Sequence, residues 1–269
     1  MDMGPAGALD AASKAARLAG AHILDNLGKL QGADIDLKKA SDFVTRVDRE
    51  CEEIIISTLR DAFPGPGFLA EETMRDEETA GGMRWIIDPL DGTTNFIHSY
   101  PMFAVSIALQ KDGKIVAAAV LDPLRDELFT AVRGEGAYLS GRRLEVSGRT
   151  DLSTCLVATG FPFRQKHIMG RYMELFTRVM GHVSDIRRAG AAALDLAHLA
   201  SGRCDGFFEL GLSPWDIAAG SLLITEAGGL VTDFGGGESF LSTGNVLAGV
   251  PALHPVLLRE AGAVFEGTV

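Results

Sequence analysis

Cysteine is scarce: Cys51, Cys155 and Cys204 are the only thiols in 269 residues. Their number is odd, their spacing is wide and no CxxC pair occurs, which excludes a zinc knuckle or a dithiol redox motif. A reduced, cytoplasmic setting is the expectation. No uncharged apolar run reaches the roughly 18 residues that a membrane span requires. Basic residues are outnumbered, 25 Lys and Arg against 36 Asp and Glu, for a net charge of −11. Such a surface repels nucleic acid and anionic membranes, so neither is expected as a direct partner. The six histidines are scattered with no metal-ligand spacing, and His98 and His198 read as structural or surface residues. Internal repeats, low-complexity tracts and flexible linkers are also absent. The remainder is ordinary for a soluble globular chain, 46% hydrophobic and 23% charged, and disorder is excluded as its main state. Its length suits one body with two closely packed halves. Part of the acidic excess fits a metal site, because carboxylates gathered around Mg²⁺ count as negative only until the cation arrives.

The Ala-rich stretch from Met1 to Leu27 lacks the apolar block of a signal peptide. Leu9, Ala12, Ala16, Ala19 and Ile23 predict a helix from near Pro5 to Leu27. A second helix is predicted over Val47–Ala62 with Ile54, Ile55, Thr58 and Leu59 inward, stopped by Phe63-Pro64-Gly65-Pro66-Gly67. Strands are predicted at Trp85–Ile87, Phe103–Leu109, Ile115–Leu121, Glu127–Ala131 and Gly136–Leu139, a largely antiparallel meander. From near Ser147 strands and helices alternate. Strands are expected at Leu156–Thr159, Val183–Ile186, Gly206–Glu209 and Leu230–Thr232, and helices at Ile168–Met180, Ala191–Ser201 and Pro214–Ala227. Gly235-Gly236-Gly237 reads as a turn. The fold class is therefore α/β: an α+β first half, residues 1–146, and an α/β second half, residues 147–269.

Four segments hold candidate chemistry. Trp85-Ile86-Ile87-Asp88-Pro89-Leu90-Asp91-Gly92-Thr93-Thr94-Asn95-Phe96 puts two carboxylates just past an apolar strand, with Gly92 free to turn and threonines where a helix can start. Oxygen ligands beside free amides suit Mg²⁺ and a phosphate together. The fragment Asp-Gly-Thr-Thr alone reads as a turn and an N-cap. Glu71 and Glu72 follow the apolar Gly67-Phe68-Leu69, although Glu-Glu pairs usually lie on solvated surfaces. Ser213-Pro214-Trp215-Asp216 has the pattern of a capping box with Pro at the first helical position. In Lys38-Lys39-Ala40-Ser41-Asp42-Phe43-Val44-Thr45-Arg46-Val47-Asp48 the alternation predicts an edge strand, with Asp48 as a cap of the next helix.

Together and in chain order, these segments resemble the inositol monophosphatase family, most closely its bacterial inositol-1-monophosphatase branch. Asp88-Pro89-Leu90-Asp91-Gly92-Thr93-Thr94-Asn95-Phe96 is the long, specific signature, and Trp215-Asp216-Ile217-Ala218-Ala219-Gly220 follows it at the family's distance. Residues 158–163, 187–190 and 225–229 also look like family segments. The resemblance implies a layered α/β/α/β/α sandwich shared with fructose-1,6-bisphosphatase, dependence on two or three Mg²⁺, inhibition by Li⁺ and a homodimer. It implies Glu71, Asp88, Leu90 (through its carbonyl), Asp91 and Asp216 as metal ligands, with Asp216 and the substrate pocket in the second half. Glu71, Thr93 and Asp48 are implied to orient a water for direct attack on phosphorus. Gly92 and Thr93 resemble the phosphate cradle, beside Leu90, Asp91 and Asp216. Glu209 looks like the residue that binds substrate hydroxyls, and Arg187, Gly190 and Ala192 lie in the pocket segment. One departure is Ala191, where many relatives carry Ser or Thr.

The activity this implies is Mg²⁺-dependent hydrolysis of inositol monophosphate. The alternatives are another small ester (fructose 1,6-bisphosphate, histidinol phosphate or 3′-phosphoadenosine phosphate) or a family member with an added regulatory role, bound to a protein partner in transcription. A covalent phosphoenzyme would call for Asp-x-Asp at a strand end, and Asp34-Ile35-Asp36 is the nearest such text.

Overall fold

A computed structural model describes residues 4–39, 42–73, 82–162 and 165–265. Ala40, Ser41 and Phe163 of the segments above lie outside these residues.

The first half opens with α1 (Gly4–Asn26), a hairpin of β1 (Ile35–Lys39) and β2 (Asp42–Thr45), and α2 (Arg46–Ala62). It continues with β3 (Gly67–Ala70), β4 (Met83–Asp91), α3 (Thr93–Ile97), β5 (Ala104–Lys111), β6 (Lys114–Asp122), β7 (Glu127–Val132), β8 (Gly136–Leu139) and β9 (Arg142–Arg143). Strands β3 to β9 form one seven-stranded sheet in sequential order, antiparallel throughout except for the parallel β3–β4 pair. The meander is as predicted.

The second half comprises β10 (Leu156–Thr159), α4 (Met169–Met180), β11 (Asp185–Arg187), α5 (Ala192–Ala200), β12 (Gly206–Glu209), α6 (Pro214–Glu226), β13 (Leu230–Thr232), α7 (Phe240–Thr243), β14 (Val246–Gly249) and α8 (His254–Phe265). Its five strands run in the order β11-β10-β12-β14-β13. The elements after Thr232 were not among the sequence expectations, because Ala248-Gly249 and the small residues of α8 dilute both the alternating and the helical pattern.

Alternation along each strand sorts side chains into three cores and so sets the layers. On β4 and β6, Trp85, Ile87, Ala117, Ala119 and Leu121 face α1 and α2. Between them Ile86, Ala118 and Val120 face the opposite way, onto α5 and α6. On the second sheet Phe207, Val246 and Ala248 meet those same helices from the other side. Phe208 and Leu247 point away, towards α4 and α8. The result is the expected α/β/α/β/α sandwich. Strands buried on both faces read as continuous apolar runs, which is why β5 and β6 look as they do in the sequence.

On α1 the expected inward residues Ala12, Ala16, Ala19 and Ile23 are all buried, whereas α2 is rotated slightly from expectation. On α1 the buried face is Ala8, Ala11, Ala12, Ala15, Ala16, Ala19, Gly20 and Ile23, and Leu9 lies at its edge. The small residues let the helix lie close to the sheet: a Cβ on Gly20 would stand 2.5 Å from Leu121 Cδ2. On α2 the stripe is Val47, Cys51, Ile55, Ile56 and Leu59, while Ile54 and Thr58 are only half-buried. Two acids, Asp48 and Glu52, occupy that buried face.

Phe207 is fully buried where the second sheet meets α5 and α6. Phe207→Ala should cost about 3–5 kcal/mol of stability, measured by urea unfolding, because the wall it fills cannot collapse onto the cavity.

Candidate active site

Asp88 and Asp91 are three residues apart on one strand, a spacing that in a regular strand sends the two side chains to opposite faces. Here β4 runs on past Asp88 to Asp91, and a bulge resolves the conflict. Asp88 pairs with Ser106 and Asp91 with Ala104, so three steps on β4 match two on β5. Pro89, lacking an N–H, falls within the bulge, where no ladder bond is lost. The Asp88 carboxylate accepts Leu90 N–H at 3.0 Å, closing a local turn. Gly92 then turns the chain at φ +89°; a Cβ there would lie 2.8 Å from Met102 O. Both carboxylates end in one cavity.

Asp216 enters from α6. Its position as the third helical residue is the capping box of the sequence reading, and its Oδ2 accepts Ser213 N–H at 2.7 Å. The same carboxylate completes a group with Asp88 and Asp91 whose ligand oxygens lie within 4.8 Å of one another. Cap and cluster member are one residue. Glu71 arrives at the end of β3, where its N–H bonds Ile87 O at 3.2 Å, and its side chain hydrogen-bonds Asp88.

Asp91 also joins the halves. Its Oδ2 accepts Ala193 N–H at 2.7 Å. The N-cap of α5 is Ala191, whose side chain has no oxygen to offer, so Asp91 caps that helix from another strand. Asn95 reinforces the seam, its Nδ2 lying 2.7 Å from Met102 O, 3.0 Å from Ala189 O and 3.2 Å from Gly190 O. On the near side Thr93 Oγ1 is 2.7 Å from Asp48 Oδ1 and 3.0 Å from Leu90 O. Asp48 accepts Thr45 N–H at 2.9 Å through its other oxygen, so it too is both cap and site residue.

The cavity over these groups measures about 280 Å³. Of the residues singled out in the sequence, Glu71, Asp88, Leu90, Asp91, Gly92, Thr93, Gly190, Ala192, Glu209 and Asp216 line it, and Asp48 supports it from behind Thr93. Arg187 does not line it: its side chain is 54% exposed and pairs with Asp185. Its neighbour Arg188 faces the cavity instead, with the guanidinium 5.6 Å from the Phe161 ring. Adjacent strand-end residues point opposite ways, and the sequence has an Arg at both. The Asp-x-Asp text lies on the surface, Asp34 paired with Arg46 and Asp36 with Arg49. Sequence reasoning missed Asp195, which lines the cavity with 3% of its surface exposed. Its signal was an acid one turn into the Ala192–Ala200 helix, whose other residues are apolar except His198. Gly160 was read only as part of a family segment. A Cβ there would overlap the Glu209 carboxylate, so Gly160 is what admits that side chain.

Burial, and then the neighbouring acids, hold the Asp88 and Asp91 carboxyls well above their usual range. Burial raises Glu209 likewise, opposed by Arg188, and lifts Asp195 to about 8 and Asp48 to about 6. Carboxyl groups this close need protons or cations between them. An all-oxygen, multiply acidic donor set fits a hard divalent cation.

The sequence profile of the inositol monophosphatase family matches residues 7–265. This chain belongs to the inositol monophosphatase family. It is 48% identical over 252 residues to the Nus factor SuhB of Escherichia coli (strain K12), covering 94% of each chain. It is 47% identical over 246 residues to the inositol-1-monophosphatase of Mesorhizobium japonicum, covering 91% of this chain and 92% of that one. The crystal structure of the extragenic suppressor protein suhB from Bartonella henselae superposes with a TM-score of 0.89 at 45% identity, covering 94% of this chain and 97% of that one. The family is one of metal-dependent phosphatases, and the layered fold agrees with that membership.

The raised acids give a pH-dependent expectation for the metal-free protein. Where the folded pKa lies above the unfolded value, stability is highest at low pH and falls as pH rises through the folded pKa. A divalent cation bound there would replace those protons. At about 100 times its Kd, Mg²⁺ should raise Tm by roughly 5–10 °C at pH 8 and by clearly less at pH 5. Melting curves with Mg²⁺ and with EDTA check this; coincident curves at pH 8 would rule out a cation at this cluster.

Proposed function

We propose that the protein is a Mg²⁺-dependent phosphatase that hydrolyses inositol monophosphate to inositol and phosphate. The observation that carries this is the buried group of Asp88, Asp91 and Asp216 at the base of a small polar cavity. At about 280 Å³, the cavity falls just below the ~300–1,000 Å³ usual for small-molecule sites. That favours a sugar-sized alcohol over a nucleotide.

In this reading Glu71, Asp88, the Leu90 carbonyl, Asp91 and Asp216 hold the cations. Those cations supply charge neutralisation of the phosphate oxygens and acidification of the attacking water. The chain's own groups do the positioning. Thr93 donates a hydrogen bond to Asp48 Oδ1, 2.7 Å away, which leaves its oxygen lone pairs to accept a hydrogen bond from the nucleophilic water. Glu71 takes the water's other proton as the water oxygen attacks phosphorus in line. The bond from phosphorus to the alcohol oxygen breaks on the far side, the departing alkoxide takes a proton from solvent water, and Glu71 returns its proton to solvent. The amides of Gly92 and Thr93, at the start of α3, receive phosphate oxygens. Glu209 accepts hydroxyl protons of the alcohol, with Gly190 and Ala192 forming the opposite wall. Arg188, rather than Arg187, supplies the cationic edge.

A second, non-catalytic role with a protein partner of the transcription machinery is favoured by the name Nus factor carried by the Escherichia coli relative. The net charge of −11 points to a protein rather than a nucleic acid as its contact. A partner retained equally by wild type and Asp88→Asn in a pull-down at moderate salt would support that role; no partner in either would remove it.

Phosphate release from inositol 1-phosphate, fructose 1,6-bisphosphate, histidinol phosphate, 2′-AMP and 3′-phosphoadenosine 5′-phosphate, with Mg²⁺ and with added Li⁺, tests the main reading. Inositol 1-phosphate should be the best substrate and Li⁺ should inhibit; inactivity on all five overturns it. Asp88→Asn should lower Mg²⁺-dependent turnover by more than about 100-fold, the upper end for groups that merely support a metal ligand. Glu209→Gln should raise KM for inositol 1-phosphate and spare a simple aryl phosphate, whereas equal effects on both would remove its hydroxyl-recognition role.

A further inference from the structure

The two side chains that flank the attacking water in this reading, Glu71 and Thr93, come from the end of β3 and the start of α3. Each is tied separately to one face of α2. Thr93 is held by Asp48. One helical turn further on, at the i+4 position of the same face, stands Glu52. Both acids are only 1% exposed, and they share that face with Cys51, Ile55, Ile56 and Leu59. A carboxylate so placed is costly unless its oxygens are hydrogen-bonded. Those of Glu52 are used on two consecutive backbone amides: Oε2 accepts Glu72 N–H at 2.7 Å and Oε1 accepts Thr73 N–H at 3.0 Å. These amides belong to the turn that begins at Glu71, 20 and 21 residues away in sequence from Glu52. The Glu72 N–H is in the peptide unit formed with the Glu71 carbonyl, so the clamped nitrogen is two bonds from the Glu71 Cα.

We infer that Glu52 is a positioning residue for the cation and water site. It pins the Glu71 turn to α2, so that Asp48 and Glu52 together make a single helix face set the separation of Glu71 from Thr93. The inference rests on the assignment of Glu71 in the phosphatase reading, and it adds a residue with no contact to cation, water or substrate.

A control with the same chemistry exists elsewhere. Glu226 accepts Gly134 N–H at 2.8 Å and Gly136 N–H at 2.9 Å on a hairpin away from the cavity. The test compares Glu52→Gln with Glu226→Gln in the full chain. Readouts are Tm, amide hydrogen exchange over residues 67–73, Mg²⁺ titration calorimetry of metal-stripped protein, and phosphate release against Mg²⁺ concentration. In Glu52→Gln the 67–73 amides should exchange faster. The Mg²⁺ Kd should weaken about 10–100-fold, the range for groups that orient a metal ligand, and kcat at saturating Mg²⁺ should fall. Glu226→Gln should lose Tm alone. Equal Mg²⁺ affinity and kcat in the two variants would overturn the inference, whatever the loss of Tm. If Glu52→Gln does not fold, Glu52→Asp, a methylene shorter with its charge kept, enters the same comparison. Wild-type protein that neither binds Mg²⁺ nor releases phosphate would instead sink the phosphatase reading. Unchanged exchange over 67–73 would then still count against the clamp.

Discussion

The mutual repulsion of Asp88, Asp91 and Asp216 is the constraint on which the rest of the structure turns. Their oxygens lie within 4.8 Å of one another and are buried. At 4 Å two like charges cost about 4 kcal/mol at an effective dielectric of ~20. The fold opposes that cost with backbone N–H groups. Asp88 takes Leu90 N–H, Asp91 takes Ala193 N–H and Asp216 takes Ser213 N–H. Each acid is thereby anchored to the turn or helix start that it also stabilises. Ordinary capping and turn chemistry becomes the frame of the candidate cation site, and removing one carboxylate would remove a structural bond together with a candidate ligand.

That frame depends on the layering. Asp88 and Asp91 belong to the first sheet, Asp216 to a helix in the central layer, and Glu209 to the end of a strand in the second sheet. They meet only because the apolar faces of both sheets close on α5 and α6. Gly92 and Gly160 mark where side-chain volume had to be withheld, the first against the Met102 backbone and the second against Glu209. The seam between the halves is polar where the cavity opens, carried by Asp91 and Asn95. Elsewhere along α5 and α6 it is mostly apolar, with Ser106 Oγ on Trp215 O and Glu226 on the Gly134 and Gly136 amides as further polar contacts, and close packing of this kind holds the groups contributed from both sides in place.

Much of this was legible in advance. Helix periodicity, the meander and the alternation after Ser147 all appear in the fold, since each is a local pattern read at a fixed period. An error of phase occurred where the pattern was weak. On α2 the stripe includes Asp48 and Glu52, so an apolar count placed the face one residue off. The acids gathered around the cavity all stand in the ordered motifs, apart from Asp195 and Glu209. Arg187 and Arg188 could not be told apart, because which of two adjacent side chains faces a cavity depends on the strand's neighbours.

The sequence by itself determined most of the elements up to Thr232 and, through its family resemblance, the layered class and the acids of the ordered motifs, because apolar period, cap residues and motif order are properties of neighbouring positions. Only the tertiary structure decided that Asp88 and Asp91 share a face, through a bulge that appears only in the pairing of β4 with β5. It alone decided that Asp91 caps α5 in place of the missing Ala191 side-chain oxygen, and that Glu52 holds the turn of Glu71. Each of these is a contact between segments distant in the chain. No local spacing encodes such a contact; it exists only once the apolar faces have closed and left buried polar groups to find their partners.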